Sequence, residues 1–414
     1  MAQAFRKDML GTLIGSFREY GDVVGYRFGP RGRFGQASVA VFHPEDVRRV
    51  LTGTAFGRKT PTFLVLTELL GEGLLTSDGE VWRRQRRTIQ PLFTPRRITR
   101  YADLMAAEAA RVVDAPALAP GRTVDLYDLM LRYTLRVVGR ALFGEDIDAL
   151  IPALTPLVPL ASDVVMARAL QFARPPLTWP TPRARRMLRV RARLYGLVEQ
   201  VLADRGDRPG DDLVARLLAA RDPDTGAALS TQEIHDQILV FLLAGHETTA
   251  GALAFTLYLL GRDPEVQDRV AGDGSGAAVR AAVMEGMRLY PPAYATSRST
   301  TGEVVLGGYR VPPRTTVFAS AWVTHRHPAF WPDPERFDPG RFIGDSDRPR
   351  YAYLPFGGGP RSCVGEHFAM LEATILLGAL LRRYRVESLD PTAPVAPLTT
   401  LRPSGPVRAR LTSR

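Results

Sequence analysis

The chain has 414 residues, 45% of them hydrophobic and 23% charged, with one cysteine and a formal net charge of +11. That composition excludes a disordered, collagen-like or disulfide-stapled protein, and the length allows a large buried core. A lone thiol points to a reducing compartment, so a cytoplasmic location is expected. The base is nearly all arginine, with Lys7 and Lys59 the only lysines, and it clusters in "WRRQRR", "PRRITR" and "PRARRMLRVRAR". Such clusters suit an acidic partner, yet they lie on amphipathic helical patterns, where a solvated face is the ordinary explanation. The N-terminal "MAQAFRKDMLGTLIGSF" has no signal-peptide core. The most apolar stretch, "FLLAGHETTAGALAFTLYLL", has His246 and Glu247 near its middle, which marks a buried helix rather than a membrane span. Neither a nucleic-acid nor a membrane partner is expected.

In chain order, residues 8–20 read as a short helix, and "DVVGYRFGPRGRFGQASVAVFHP" as a hairpin around a Gly/Pro/Arg turn. "PEDVRRVLTG" is a helix opened by Pro44 and closed by Gly53. Residues 57–79 read as irregular. Helical pattern then resumes from Asp78, through "DGEVWRRQRRTIQPLF" and "TPRRITRYADLMAAEAARVVD", and again over 123–144. Residues 150–182 are broken by many prolines, and "FARPPLTWPTP" reads as a loop with extended character. A long basic helix covers 183–206, "DDLVARLLAAR" is helical and "DPDTG" is a turn. Ser230, with Glu233 three residues on, has capping-box spacing and opens the longest helix. After a helix around "AAVMEGMRLYPP" come β-like runs, "EVVLGGYRVP" and "TTVFASAWV", a Pro-rich meander, a glycine loop and an apolar helix, "GEHFAMLEATILLGALLRRY". No internal repeat is visible. The pattern predicts a single domain, 1–414, mainly α with a small β portion over roughly 23–42 and 300–323.

The only cysteine lies in the glycine loop, "PFGGGPRSCVGEHFAM", at the entrance of that last helix. A thiolate at a helix start meets backbone N–H groups and the positive dipole end, which favour ionisation. Gly357, Gly358, Gly359 and Gly365 leave room for close approach of something large and flat, and Arg361 supplies a cation. This suits a thiolate ligand to a haem iron with the arginine on a haem carboxylate. An inert buried thiol and a nucleophilic cysteine are the alternatives. The spacing Phe356, Gly359, Arg361, Cys363, Gly365, with Ala369 behind it, resembles the haem-binding signature of the cytochrome P-450 family, of the soluble bacterial type.

Three further stretches resemble that family in its order. "AGHETTA" gives Gly245, Glu247 and Thr248 inside the long helix. Gly245 is expected to open space for dioxygen. The Thr248 hydroxyl is expected to bond a carbonyl one turn back, loosening the helix and steadying the oxygen, while Glu247 relays protons from water. "EGMR" places Glu285 and Arg288 on one helical face, and the resemblance implies a buried structural pair joined by Arg336 of "PERF". "WRRQR" places Trp82 and Arg86 four apart, and Arg298 follows the second proline of "PPAYATSR" by six. The resemblance makes these, with Arg361, holders of the haem propionates. His327 stands where many relatives carry an acid.

The resemblance implies a cytochrome P-450 fold, with haem b (iron protoporphyrin IX) between the long central helix and the cysteine-loop helix. Cys363 is then the iron ligand, Phe356, Gly357 and Gly365 line the haem, and Glu247 and Thr248 are catalytic. The implied reaction is insertion of one atom of O2 into a small hydrophobic substrate in secondary metabolism, by hydroxylation or epoxidation. No flavin or ferredoxin domain is read in the chain, so electrons are expected from outside, from a ferredoxin and its reductase. Substrate contacts are expected from 59–76, 170–182, Ala244 with Thr248, Ala293 to Ser297 and Thr399 to Leu401, Thr400 among them. A haem isomerase or peroxide-driven enzyme is the competing class, which turnover without dioxygen would favour. A haem sensor or nucleic-acid binder is another, which salt-sensitive DNA binding would favour.

Overall fold

A computed structural model describes residues 5, 7–28, 36–119, 121–144, 148, 151–169, 171, 174–206, 210–344 and 347–414. In chain order its main elements are α1 (Met9–Tyr20), β1 (Val23–Phe28), β2 (Gln36–Val41), α2 (Pro44–Thr52), β3 (Phe56–Gly57), α3 (Pro61–Leu70), α4 (Gly79–Ile89) and α5 (Ala102–Val113). Then follow β4 (Thr123–Asp125), α6 (Leu126–Phe143), α7 (Ile151–Ala169), α8 (Pro182–Arg205), α9 (Leu213–Ala219), α10 (Thr231–Leu260), α11 (Pro264–Gly272) and α12 (Ala277–Leu289). The last part holds β5 (Thr296–Thr300), β6 (Val304–Leu306), β7 (Tyr309–Val311), β8 (Thr316–Ala319), α13 (Glu366–Arg383), β9 (Tyr384–Ser388), β10 (Val395–Pro397), β11 (Leu401–Pro403) and β12 (Arg408–Ser413). Helices dominate, as the sequence predicts. The expected hairpin turn over 29–35 lies outside the described residues, as do 170, 172 and 173 of the expected substrate stretch.

The chain divides into two compact units. The first comprises 1–60, 273–363 and 395–402. It contains a five-stranded sheet in the order β1-β2-β8-β5-β3, antiparallel except for the parallel β2–β8 pair. One apolar cluster sets Leu10 and Leu13 of α1 against Val24, Tyr26, Phe42 and Trp322. A second sets Val47, Val50 and Leu51 of α2 against Val317, Ala319 and Leu354.

The second unit comprises 61–272, 364–394 and 403–414. Its core runs through α3, α6, α7, α8 and α10. The capping box is present at the start of α10: the Glu233 N–H donates to Ser230 Oγ, and the Ser230 N–H donates to Glu233 Oε2. Arg84 and Gln85 of α4 also bond the Glu233 carboxylate. Further along α10, Asp236 accepts the Glu72 N–H at 2.7 Å and Gln237 accepts the Leu74 N–H at 2.9 Å. Gly73 has no room for a side chain there, because a Cβ would lie 2.8 Å from Val240 Cγ2. A small antiparallel sheet, β4-β12-β9, closes this unit.

Three expectations need correction. The irregular stretch 57–79 contains helix α3, which Pro61 opens and Val65, Leu69 and Leu70 anchor. The segment 150–182, read as broken by prolines, starts with the unbroken 19-residue α7, with Pro156 and Pro159 in its interior. Each interior proline costs about 3 kcal/mol, but Ile151, Leu154, Leu157, Val158, Ala161, Val164 and Val165 recur at helical spacing and are buried. The β portion also extends into the C-terminal 384–413, where Val407, Ala409 and Leu411 point inward and Arg408 and Arg410 outward.

Candidate functional site

Within the first unit, the loop before α13 is a compact turn. The Gly357 N–H donates to Leu354 O (3.0 Å), Ser362 N–H to Gly359 O (3.1 Å) and Cys363 N–H to Phe356 O (3.0 Å). Cys363 is exposed, while Phe356, Gly357 and Arg361 are half-buried. The glycines differ in purpose. A Cβ on Gly358 would lie 2.5 Å from Tyr351 Cε1, and one on Gly359 would lie 2.6 Å from Leu51 O. Those two glycines let the loop seat on α2 and Tyr351 rather than clearing space for a ligand. Gly357 has φ +72°, which favours glycine, and a Cβ there would meet nothing within 4 Å.

Behind the loop stands a buried ion pair. Arg288 Nε and Nη2 donate to the two Glu285 oxygens at 2.7 and 2.8 Å, and both residues are fully buried. Arg288 also donates to the carbonyls of His325 (2.9 Å), Pro334 (2.6 Å) and Arg336 (2.9 Å). Arg336 thus joins through its main chain, and its side chain is exposed. The second guanidinium at Glu285 is that of Arg341, with Nε 3.4 Å from Oε1. Arg336 lies in a loop and turns its side chain outward, so the resemblance pointed to the right segment, while Arg341 rather than Arg336 supplies the second guanidinium.

His325 is a residue that sequence reasoning missed. Its Nδ1 lies 3.3 Å from Arg288 O, and its Nε2 accepts the Leu354 N–H at 2.9 Å. Because Leu354 O holds Gly357, a hydrogen-bonded path runs from the Glu285–Arg288 pair through His325 into the cysteine loop. Both contacts fit a neutral imidazole protonated on Nδ1. Burial, with Arg288 nearby, depresses its pKa to about 3. The clue in the sequence was the first histidine of "HRHP". His327, the second, lies 3.0 Å from Asp22.

The other first-unit candidates lie in two segments, 293–298 and 400, that are far apart in sequence and partly joined in space. Arg298 is buried on β5, with Nη1 bonded to Thr296 Oγ1 (3.2 Å) and Ser297 O (3.0 Å). Ser297 is buried, and its hydroxyl pairs with that of Thr60 at 2.9 Å. Ala293 is exposed and Thr400 half-buried. Their two loops are joined, since Leu401 N–H donates to Pro292 O (2.8 Å) and Tyr294 O–H to Leu398 O (2.8 Å).

In the second unit, Glu247 is buried on α10, and the Thr248 hydroxyl donates to Ala244 O at 2.6 Å. The helix nevertheless continues unbroken through this turn. On this mostly buried helix, Phe241, Ala244 and Thr248 form a less buried stripe at spacings of three and four. Gly245 is closely packed against α6, where a Cβ would lie 3.1 Å from Val138 Cγ2. One residue on, His246 O accepts the Thr134 hydroxyl at 3.0 Å, and burial lowers the His246 pKa to about 4. Trp82 packs on the core cluster, Arg86 Nε donates to Gln90 Oε1 at 2.9 Å, and Gly365 precedes α13.

These residues fit a haem. An exposed thiol at the end of a pinned loop, with a guanidinium two residues away, is the donor set a thiolate-ligated iron and a propionate require. Among the described residues no group of three or more His, Cys, Asp or Glu side chains competes for a metal. One helix, α10, is long and apolar enough to cross a membrane, but 72% of its apolar window is buried inside the protein.

Comparison with known proteins agrees. A family model described as Cytochrome P450 matches residues 2–273 and 277–409. The chain is similar to cyclooctatin synthase of Streptomyces melanosporofaciens, at 36% identity over 92% of this chain and 86% of that protein. It is similar to cyclooctat-9-en-7-ol 5-monooxygenase of the same organism, at 37% over 92% and 86%. It is also similar to pentalenene oxygenase of Streptomyces avermitilis, at 34% over 97% and 92%.

Proposed function

Since the chain belongs to the cytochrome P450 family and is a haem-dependent monooxygenase, we propose that it oxygenates a cyclic terpene hydrocarbon or terpene alcohol, with Cys363 as the ligand of haem b. The observation that carries this reading is the pinned, exposed thiol of the Phe356–Cys363 loop. The substrate class rests on the relatives, whose names give an oxygenase of pentalenene and a 5-monooxygenase of cyclooctat-9-en-7-ol. The overall reaction converts R–H, O2, two electrons and two protons to R–OH and water.

Haem, when bound, supplies oxygen activation and electron transfer. This chain's residues do the rest. Arg361, Arg298, Arg86 and Trp82 are assigned to the propionates, with Phe356, Gly357 and Gly365 against the ring. Glu285, Arg288 and the Arg336 carbonyl hold the fold that supports the loop. Thr248 presents its hydroxyl oxygen while its proton is held by Ala244 O, and Glu247 moves protons inward from water. Ala244 and Thr248 offer a small, partly apolar stripe against which a hydrocarbon can lie, and Ala293, Ser297 and Thr400 are also assigned to substrate contact. We assign electron supply to a ferredoxin and its reductase, location to the cytoplasm, and both compact units to one catalytic domain.

The test is spectroscopic. The reduced, carbon-monoxide-bound protein is expected to show the far-red Soret band of thiolate ligation, and Cys363→Ala to lose it. Pentalenene-like hydrocarbons and cyclic alkenols are expected to shift the spin state on binding, and non-terpenoid apolar compounds are not. A normal Soret band with no response to any terpenoid would sink the substrate class and leave the family intact. Thr248→Ala is expected to keep the spin shift and lower product formed per electron pair consumed.

A further inference from the structure

The N-terminal half of α8 carries five exposed arginines, Arg183, Arg185, Arg186, Arg189 and Arg193. Among the described residues none of the five forms an ion pair. Other arginines of the same unit are paired: Arg87 with Asp222, Arg168 with Glu68 and Arg205 with Asp212. The buried face of α8, Ala184, Met187, Val190, Leu194 and Val198, fixes the helix orientation. Arg185, Arg189 and Arg193 are four apart and so form a row about 12 Å long on the outer face, with Arg186 beside it.

An aromatic anchor stands at the head of this row. Trp179 is 60% exposed, and Leu188 on the helix is 43% exposed. Trp179 lies between Pro176 and Pro180 in a fixed turn. Its N–H donates to Pro176 O at 3.1 Å, and its carbonyl accepts the Thr181 N–H at 2.7 Å. Thr181 in turn caps α8 through Ala184 N at 3.1 Å. With the backbone held this way, only the two side-chain torsions of the indole remain to be ordered on docking.

We propose that this face is a docking surface for an anionic lipid bilayer. Guanidinium groups pair bidentately with phosphate, and an indole settles at headgroup depth. A spaced row of arginines matches mobile phosphates, which rearrange to meet each one, whereas a protein or nucleic acid needs a fixed complementary shape. The expectation of no membrane partner rested on a spanning segment, and this contact is peripheral. It would set the enzyme where apolar substrates collect, but it stands independently of the terpene reading.

The experiment is vesicle co-sedimentation of the haem-loaded protein, with phosphatidylglycerol/phosphatidylcholine vesicles against phosphatidylcholine alone. Binding is expected only to the anionic vesicles, and it is expected to fall when salt is raised from about 50 to about 500 mM. At about fivefold per arginine, the triple variant R185E/R189E/R193E is expected to bind at least tenfold more weakly while keeping its reduced carbon-monoxide spectrum. Tryptophan emission is expected to shift blue on binding, and Trp179→Phe to remove that shift. The proposal is overturned by wild type that ignores anionic vesicles, by a triple variant that binds as well as wild type, or by duplex DNA or an acidic protein binding where vesicles do not.

Discussion

Arg288 has five N–H donors, and all five are bonded to neighbours within the first unit. Lysine has neither the fork nor the reach, so Arg288→Lys leaves part of Glu285 buried and unpaired, at a cost of about 3–5 kcal/mol. The expected result is a lower thermal midpoint and poor haem retention, read from the ratio of Soret to protein absorbance. His325 adds a pH dependence. Its pKa is depressed to about 3 in the folded state, so its neutral form contributes stability that is complete above about 6.5 and is lost as pH falls towards 3. Gln can imitate both contacts without titrating. The stability advantage of wild type over His325→Gln is therefore expected to shrink by about 2 kcal/mol between pH 7 and pH 5, as measured by urea unfolding. An unchanged difference would remove His325 from this role. Glu372 carries the opposite sign: it is buried, and desolvation raises its pKa well above the usual carboxylate range. Its neutral form is favoured at low pH, and its cost grows as pH rises above 4.5, so Glu372→Gln is expected to gain stability progressively from pH 5 to pH 8. The spacing of Glu285 and Arg288 made their pairing legible in the sequence. Arg341, His325 and Glu372 were not, because their roles depend on burial that no local pattern records.

The elements were legible where periodicity and end signals agreed. Ser230 and Glu233 fix the start of α10 because capping chemistry is local, and Ser230→Ala is expected to cost about 1 kcal/mol. Helix α3 was missed inside a stretch read as irregular for its glycines and threonines, and α7 was masked by interior prolines, while the deciding factor was tertiary burial of apolar residues already spaced for a helix. Gly245 shows the same blind spot inside an element. Its neighbour in space, Val138, lies on another helix. Gly245→Ala is expected to destabilise by about 1–3 kcal/mol through overpacking. The double variant with Val138→Ala is expected to recover most of that loss. Failure of the second substitution to rescue would mean that Gly245 serves something other than α6–α10 packing.

For the whole molecule, helical dominance, the strands within 23–42 and 300–323 and the cysteine loop were readable from one sequence. The division into two compact units and the C-terminal sheet were not, since both arise from segments far apart in the chain. Net charge operates at this scale. At +11, the protein would attract the proposed ferredoxin, if acidic, over distances that salt screens, with a Debye length of about 8–10 Å at physiological strength. Turnover supported by a ferredoxin is accordingly expected to fall as ionic strength rises, while the substrate-induced spin shift stays constant. Salt-independent turnover would show that the donor docks without help from charge.

The two bonds that clip residues 398–401 to residues 292–294 bear on how specificity evolves. Segments about a hundred positions apart in the gene are fastened into one surface. A substitution in either loop shifts the footing of the other, so under the substrate role proposed for Ala293 and Thr400, changes at the two positions are expected to be strongly epistatic. Libraries that vary one loop at a time will undersample the productive combinations, and new substrate preferences are more accessible when both loops are randomised together.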